Sequence, residues 1–345
     1  MIFPVFDKKL HSTRERRRGV TLVELLIVVG IIGFVMGAVT VFFTNTRKSF
    51  TFFEVTNQLK TNAQKAVNSI NHYLAISKRI FENNTNDLAY AARLTLSITP
   101  MPGTRLPVIN ETGSLSPDSP DFSQSSVGNC LFFASSGSPL VIQNVLDGTG
   151  TPHTMRIDYY TFNFYYLTAD TSVNMANKNK RFTLISWHSK GYADWGQLNS
   201  ISDATLKINT LIAIYNSGII YAWNTSQVNS NAAFYEIGPG GSLTQQAAHT
   251  IPVASAKELI KITTGIMGWT FKYGVAFNTD GTFVIKDTVP RFASVNGNFP
   301  GGFETLVTGP NSSRQVFVRL VLMAQSAAGL KSYEQTCLAA VRDLW

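Results

Sequence analysis

One apolar stretch near the start of the chain constrains the fold more than any other feature. Val20 to Phe43 contains a single charged residue, Glu24, and a helix of that length rises about 36 Å. The hydrocarbon core of a bilayer is about 30 Å thick, so the stretch is long enough to cross it. A carboxylate in such a span costs roughly 2.5–3.5 kcal/mol at mid-bilayer and less near the interface. Glu24 is therefore expected to have a partner or a function.

The flanking residues orient the span and narrow its interpretation. Basic residues precede it, namely Lys8, Lys9, Arg14, Arg16, Arg17 and Arg18. The positive-inside tendency places the first 19 residues in the cytoplasm and the rest of the chain across the membrane. A secretory signal peptide has a shorter apolar core, about 7–15 residues, without a carboxylate. An ordinary signal anchor would explain the arginines and the length, but it leaves Glu24 unexplained.

The residues at the start of the span resemble a known processing site. Gly19-Val20-Thr21-Leu22-Val23-Glu24 follows a basic leader and precedes a long apolar run. This order resembles the cleavage and methylation site of type IV prepilins and of the pseudopilins of type II secretion. The resemblance implies that a prepilin peptidase cuts after Gly19 and that Val20 becomes the N-methylated mature N-terminus. Val20 replaces the usual phenylalanine or methionine and keeps the apolar character.

The same resemblance implies a partner for Glu24, the terminal amine of a neighbouring subunit. An amine and a carboxylate are each costly to bury alone, and close contact between them offsets that cost. Glu24 is thus interpreted as a residue that sets the register of helix packing, and not as a catalytic acid. The span also contains Gly30, Gly33 and Gly37, and the GxxxG spacing of the last two predicts close approach of another helix.

The helix is expected to continue beyond the membrane. No proline interrupts residues 6–99, and apolar side chains recur at spacings of three and four at Phe52, Val55, Leu59, Ala63, Ala66, Ile70 and Tyr73. The sequence therefore predicts a transmembrane half over residues 20–43 and an amphipathic half over residues 44–84.

Residues 85–345 are predicted to form a β-rich globular domain. The pattern of alternating and apolar runs predicts strands at Arg93–Ile98, Cys130–Ala134, Pro139–Leu146, Met155–Leu167, Phe182–His188, Leu206–Trp223, Leu259–Ile262, Gly265–Val275, Phe283–Ile285 and, as the last one, Arg314–Ala324. Between them a long loop is expected at Pro100–Ser126, with turns at Ala176–Lys180, Gly238–Gly241 and Asp280–Gly281. The expected fold class is α+β, a long N-terminal helix packed on an antiparallel sheet. The order of the last strands loosely resembles the PilW-like minor pilins.

The two cysteines, Cys130 and Cys337, allow one disulfide. A domain outside the cytoplasm lies where disulfides persist. Such a bridge would close a loop of some two hundred residues and contribute about 4–5 kcal/mol in the chain-entropy treatment. Two buried free thiols are the alternative, because the sequence does not show whether the two backbones approach each other.

No motif of a familiar catalytic or metal site occurs in the sequence. The histidines have no HExxH spacing, and the chain lacks a G-x-S-x-G elbow, a Walker loop and a CxxC pair. The net charge of +8 falls to +4 without the first 19 residues, and no basic stripe for nucleic acid remains. We therefore expect no enzymatic activity, cofactor, metal or nucleic-acid partner.

The combined interpretation is a minor pilin of a type IV pilus. Its expected partners are prepilin peptidase, the inner membrane and other pilins through the N-terminal helix. The C-terminal domain would be periplasmic in a single-pass precursor and would enter the pilus on assembly, at or near the tip. A J-type minor pseudopilin of a type II secretion system and an adhesive module displayed on a pilin helix are the alternatives. Glu24 argues against a K-type pseudopilin, which lacks that glutamate.

Overall fold

A single long helix, α1, spans Leu22–Leu74 in the computed structural model. The structure describes residues 21–101, 103–113, 115, 126–169, 181–260, 272–276, 302–326 and 329–341. The chain divides into two units, Met1–Thr51 and Phe52–Trp345, and the boundary between them falls within α1. The long N-terminal helix predicted from the sequence is therefore present.

Within the second unit, α1 buries most of the apolar stripe that the sequence predicts, although Phe52 is exposed and Tyr73 is half-buried. The buried side chains are at most 5% exposed and are Val55, Leu59, Ala63, Ala66, Val67, Ile70 and Leu74. They share one cluster with sheet residues, among them Leu131, Val318 and Leu320. Burial of each larger side chain contributes roughly 1.5–3 kcal/mol. The helix is thus held on the sheet by one apolar face, which confirms the α+β prediction.

The helix ends at Leu74, so the predicted amphipathic half over residues 44–84 is wrong beyond that residue. Strand β1, Ser77–Phe81, follows at once, and a short helix, α2, spans Thr85–Ala91. The extended backbone of β1 places Ile80 in the cluster under α1 and Phe81 in a second cluster. Successive side chains of a strand point to opposite faces of its sheet, which is why Ile80 and Phe81 lie in different clusters.

The remaining elements are mostly strands. They are β2 Leu131–Ser136, β3 Leu140–Leu146, β4 Pro152–Ile157, β5 Tyr159–Ala169, β6 Arg181–Ser189, β7 Tyr192–Asp194, α3 Trp195–Asn199, α4 Ala204–Asn216, β8 Tyr221–Trp223, β9 Phe234–Ile237, β10 Leu243–Gln245, β11 Val253–Glu258, β12 Lys272–Ala276, β13 Phe303–Thr308, β14 Arg314–Ser326 and β15 Gly329–Val341. Two 3₁₀ turns lie at Ser230–Ala232 and Asn311–Ser313.

Thirteen of the described strands form one sheet. The main path runs β10-β9-β8-β7-β5-β6-β12-β14-β13, with β2 on β5, β1 on β2, β11 on β6 and β15 on β14. Strands β7 and β8 pair in parallel, and the other described pairs are antiparallel. Strands β3 and β4 form a separate hairpin.

Both faces of the central strands are covered. Phe133 on β2 and Tyr165 on β5 face α1, in what we call the helix-side core. Their chain neighbours Phe132 and Phe164 point the other way, into an aromatic cluster that we call the far-side core. Because side chains alternate along a strand, these neighbours divide between two apolar layers. A third cluster joins α3 and α4 to the β3–β4 hairpin and to β8 and β9.

Several strand predictions differ from the structure. Met155–Leu167 is two strands, β4 and β5, separated at Asp158, and Leu259 and Ile260 of the predicted Leu259–Ile262 strand lie beyond the end of β11. Leu206–Trp223 is helix α4 followed by the short β8, because Asp203 caps the helix and accepts a hydrogen bond from the Leu206 amide at 2.6 Å. Arg93–Ile98 forms no strand and contributes one bridge, from Leu94 to Ile251. Strand β15 follows β14, which was predicted to be the last, and pairs with it over its full length. The predicted Asp280–Gly281 turn and Phe283–Ile285 strand lie outside the described residues.

Candidate membrane and assembly site

Thr21 and Glu24 are hydrogen-bonded to each other at the amino end of α1. The Thr21 amide and hydroxyl donate to Glu24 Oε2 at 2.9 and 3.1 Å, and the Glu24 amide donates to Thr21 Oγ1 at 3.3 Å. This reciprocal pattern is a capping box, which gives partners to amides that the first helical turn leaves without any. A carboxylate is also favoured at this end of the helix by the macrodipole.

The capping box is a role of Glu24 that the sequence interpretation missed. The signal was present, since Thr21 and Glu24 have the Thr-x-x-Glu spacing typical of helix N-termini. The interpretation assigned the carboxylate only to another subunit. The structure shows a second, local use of the same group, and both described hydrogen bonds to it are accepted by Oε2.

The first part of α1 exposes an almost continuous apolar surface. Each of the following side chains is at least 40% exposed: Leu22, Val23, Leu25, Leu26, Ile27, Val28, Val29, Ile31, Ile32, Phe34, Val35, Met36, Val39, Val41, Phe42 and Phe43. By length and composition, α1 is able to cross a membrane. The apolar helix is thus a candidate membrane anchor, as the sequence predicts.

The three glycines of this segment share one face of α1. Gly30, Gly33 and Gly37 are three and four residues apart, the spacing that brings helical positions together. A Cβ placed at any of them would meet nothing within 4 Å among the described residues. The face is therefore open to another helix, and packing at these glycines stays a prediction. Gly19 and Val20 lie outside the described residues, so their processing also stays a prediction.

The bridge between Cys130 and Cys337 is not formed, since both thiols are free and buried. Gly128, two residues before Cys130, forms a backbone bridge with Thr305 of β13, Thr305 pairs with Val318 of β14, and Val318 pairs with Cys337 of β15. Three strand spacings amount to about 14 Å, and a disulfide needs Cα atoms within about 7 Å. The two cysteines also belong to different cores, Cys130 to the far-side core and Cys337 to the helix-side core.

A chain of polar groups lies on the α1 side of the sheet, where the helix ends, and all of its members except the half-buried His188 are buried. Ser186 Oγ lies 2.6 Å from His188 Nε2, and His188 Nδ1 lies 2.6 Å from Asn163 Oδ1. Asn163 Nδ2 donates to Ser135 Oγ at 2.7 Å, so its Oδ1 accepts the proton of His188 Nδ1. The His188 ring lies 4.6 Å from the ring of Tyr73 on α1. The network therefore joins the last turn of α1 to β2, β5 and β6.

The order serine, histidine, asparagine resembles the Ser-His-Asp and Cys-His-Asn sets of nucleophilic enzymes. Here Ser186 and Asn163 are fully buried, so no substrate reaches the hydroxyl. Burial, and next the positive charge of Lys257, lower the pKa of His188 to about 4, so its ring is neutral at pH 7. The hydrogen bonds of this network thus link β2, β5 and β6, and the network contacts α1 through the rings of His188 and Tyr73.

A comparison with protein families agrees with the position of this site. The family model of the prokaryotic N-terminal methylation motif matches residues 14–40, which include Gly19, Val20 and Glu24. Searches among curated proteins and among solved structures gave no match. Over this segment the chain is similar to proteins with a methylated prepilin-type N-terminus. Together with the exposed apolar helix, the match supports a type IV pilin-like or pseudopilin protein with a prepilin-type membrane anchor.

Proposed function

We propose that the chain is a minor pilin of a type IV pilus. It is made as a precursor in the inner membrane, with the second unit in the periplasm. Prepilin peptidase cuts it after Gly19 and the new Val20 amine is methylated. The subunit is then extracted into the fibre, at or near the tip, where it primes assembly.

The observation that carries the proposal is the carboxylate of Glu24 at the start of an exposed apolar helix. It lies within the segment matched by the methylation motif. A carboxylate has about four acceptor positions, and the described hydrogen bonds from Thr21 use one oxygen. Acceptor capacity therefore remains for the Val20 amine of a neighbouring subunit, in an apolar surrounding where such a pair is attractive.

The size of the globular part supports a minor role. Residues 85–345 amount to about 260 residues, which is bulky for the repeating subunit of a thin fibre. A low copy number, with the domain at the tip, avoids that crowding. The loose resemblance of the last strands to the PilW-like minor pilins agrees with this placement.

The mass of the mature chain tests the processing step. In cells with an active prepilin peptidase, we expect a chain that begins with N-methylated Val20, and in cells without the peptidase a chain that retains Met1. Gly19→Leu should block the cut, whereas Glu24→Ala should leave it largely intact. A chain that still begins at Met1 beside an active peptidase would contradict the proposal.

Abundance and phenotype test the assembly step. We expect the protein in sheared pili at far lower abundance than the principal subunit, and equal abundance would contradict the minor role. A J-type minor pseudopilin of type II secretion would have the same anchor. Loss of secretion with intact pili in a deletion strain would assign the chain to that machine instead.

A further inference from the structure

We propose that Phe43, Arg47, Lys48 and Phe50 form an interfacial anchor that binds anionic phospholipid headgroups of the outer leaflet and sets the depth of α1. The inference rests on the proposed function only in taking α1 to span the inner membrane before assembly. It adds a lipid-binding surface, and it gives a reason why Glu24 is tolerated in the precursor.

The anchor residues lie directly beyond the apolar stretch. Phe43 and Phe50 are 65% and 74% exposed, and with Arg47 they lie at spacings of four and three on one helix face. Arg47 and Lys48 are the first charged residues after Glu24, and no acidic residue occurs between them and Glu54. A basic pair flanked by exposed aromatic rings at the end of a span fits a negatively charged headgroup layer.

The spacing along α1 fits one membrane thickness. Leu25–Phe43, without a charged residue, rises about 28 Å, close to the hydrocarbon thickness of about 30 Å. The hydroxyl of Thr40, inside this stretch, donates to the Met36 carbonyl at 2.7 Å, so it needs no partner in lipid. Glu24 and Arg47 are about 34 Å apart along the helix axis, so they lie at opposite boundaries of the hydrocarbon core.

This placement lowers the free-energy cost of keeping the Glu24 carboxylate in the membrane. With Arg47 among the outer headgroups, Glu24 lies at the cytoplasmic edge of the core, where a carboxylate costs far less than at mid-bilayer. Its capping hydrogen bonds with Thr21 are compatible with that edge. The full cost of burying Glu24 then arises only when the helix enters the fibre, where another subunit supplies the amine.

The experiment measures the depth of a nitroxide on Thr44→Cys in the full chain. The labelled chain is reconstituted in phosphatidylcholine vesicles with and without phosphatidylglycerol, and accessibility to oxygen is compared with accessibility to a water-soluble nickel chelate. The chain without Thr44→Cys, treated in parallel, corrects for any reaction of the buried Cys130 and Cys337. The depth is then measured again in an Arg47→Gln/Lys48→Gln variant and in a Lys60→Gln/Lys65→Gln variant, which serves as the control.

In the vesicles with phosphatidylglycerol, we expect Arg47→Gln/Lys48→Gln to move the label towards the bilayer centre by ~3–5 Å, two to three residues of helical rise. The control should leave the depth unchanged, and the shift should be smaller in pure phosphatidylcholine. An unchanged depth in the test variant, or an equal shift in the control, would overturn the anchor. The measurement needs neither cleavage nor a fibre, so its failure is distinct from failure of the proposed function.

Discussion

The thiol of Cys337 on β15 lies 2.7 Å from Oδ1 of Asn71 on α1, so the last described strand is hydrogen-bonded to the first helix. The contact lies at the edge of the helix-side core, where Cys337 is 8% exposed. Cys337→Ser keeps a donor and should change the free energy of unfolding by less than about 1 kcal/mol. Cys337→Val removes the donor from a half-buried amide and should cost about 1–2 kcal/mol. Denaturant unfolding of the full chain in detergent measures both, and equal costs would show that the hydrogen bond is unimportant.

Both thiols are expected to be free in the native protein. Alkylation of the denatured chain without prior reduction should add one group at Cys130 and one at Cys337. Reduction before alkylation should give the same mass. Because burial raises the pKa of both thiols, the folded chain should react slowly with the same reagent. A chain that takes up alkyl groups only after reduction would show a bridge and contradict the strand spacing described above.

Substitutions at Glu24 separate its charge from its capping role. Glu24→Gln keeps a side-chain acceptor at the capping position but removes the charge. Thr21→Val removes the hydroxyl of the cap and keeps the carboxylate, at a cost of roughly 0.5–2 kcal/mol to the helix. If an amine of another subunit needs the charge, Glu24→Gln should lower incorporation into sheared pili as strongly as Glu24→Ala, and Thr21→Val should be incorporated. Normal incorporation of Glu24→Gln would show that capping is the role that matters.

Arg319 on β14 lies between two carboxylates of unequal burial. It reaches Glu304 at 2.6 Å and Glu334 at 2.7 Å, and the side chains of Glu304 and Glu334 are 2% and 45% exposed. Arg319→Met takes the guanidinium away from a buried carboxylate and should cost about 3–5 kcal/mol. Glu334→Gln loses a half-exposed pair and should cost at most about 1 kcal/mol. Thermal unfolding measures the loss of stability in Arg319→Met and in Glu334→Gln. Similar losses would show that the burial of Glu304 does not set the cost of removing Arg319.

The amphipathic pattern predicted that α1 packs on the sheet, because apolar side chains at helical spacing form one face that turns towards a core. Val55, Leu59, Ala63, Ala66 and Ile70 are all buried as expected. The end of the helix was not predictable in the same way. Ser77–Phe81 becomes a strand because β2 offers it a partner 50 or more residues later in the chain. Tertiary pairing of that kind leaves no local mark in the sequence.

Short apolar runs were ambiguous for a related reason. Leu206–Trp223 fits a buried strand by composition, but Asp203 supplies a cap and Leu211 and Ile214 are buried one turn apart. Strand β15 was missed because its outward positions mix polar and apolar side chains, such as Thr336 and Leu338. In the candidate site, the sequence predicted the exposed apolar helix, and the pairing of Glu24 with another subunit stays a prediction. The sequence did not predict the network at His188, whose members come from separate strands.

The buried His249 and the half-buried His188 should make stability depend on pH. Burial is the main reason that the pKa values of His188 and His249 fall to about 4, from 6.5 in an unfolded chain, with Lys257 and Arg93 adding to the effect. Between those values the unfolded chain binds more protons than the folded one, so the free energy of unfolding falls as the pH is lowered from 6.5 towards 4. For His188 the loss is on the order of 3 kcal/mol.

Histidine replacements isolate this contribution from that of titrating carboxylates. His188→Gln keeps a polar side chain beside Ser186 and Asn163 but does not titrate, so the variant should lose less stability than the parent between pH 6.5 and 4. Its stability at neutral pH should be lower, since glutamine does not reproduce the ring contact with Tyr73. His72→Gln, on the exposed side of α1, is the control and should follow the parent. Urea titrations at a series of pH values measure how the free energy of unfolding changes with pH, and parallel curves for parent and His188→Gln would refute a neutral ring at this position.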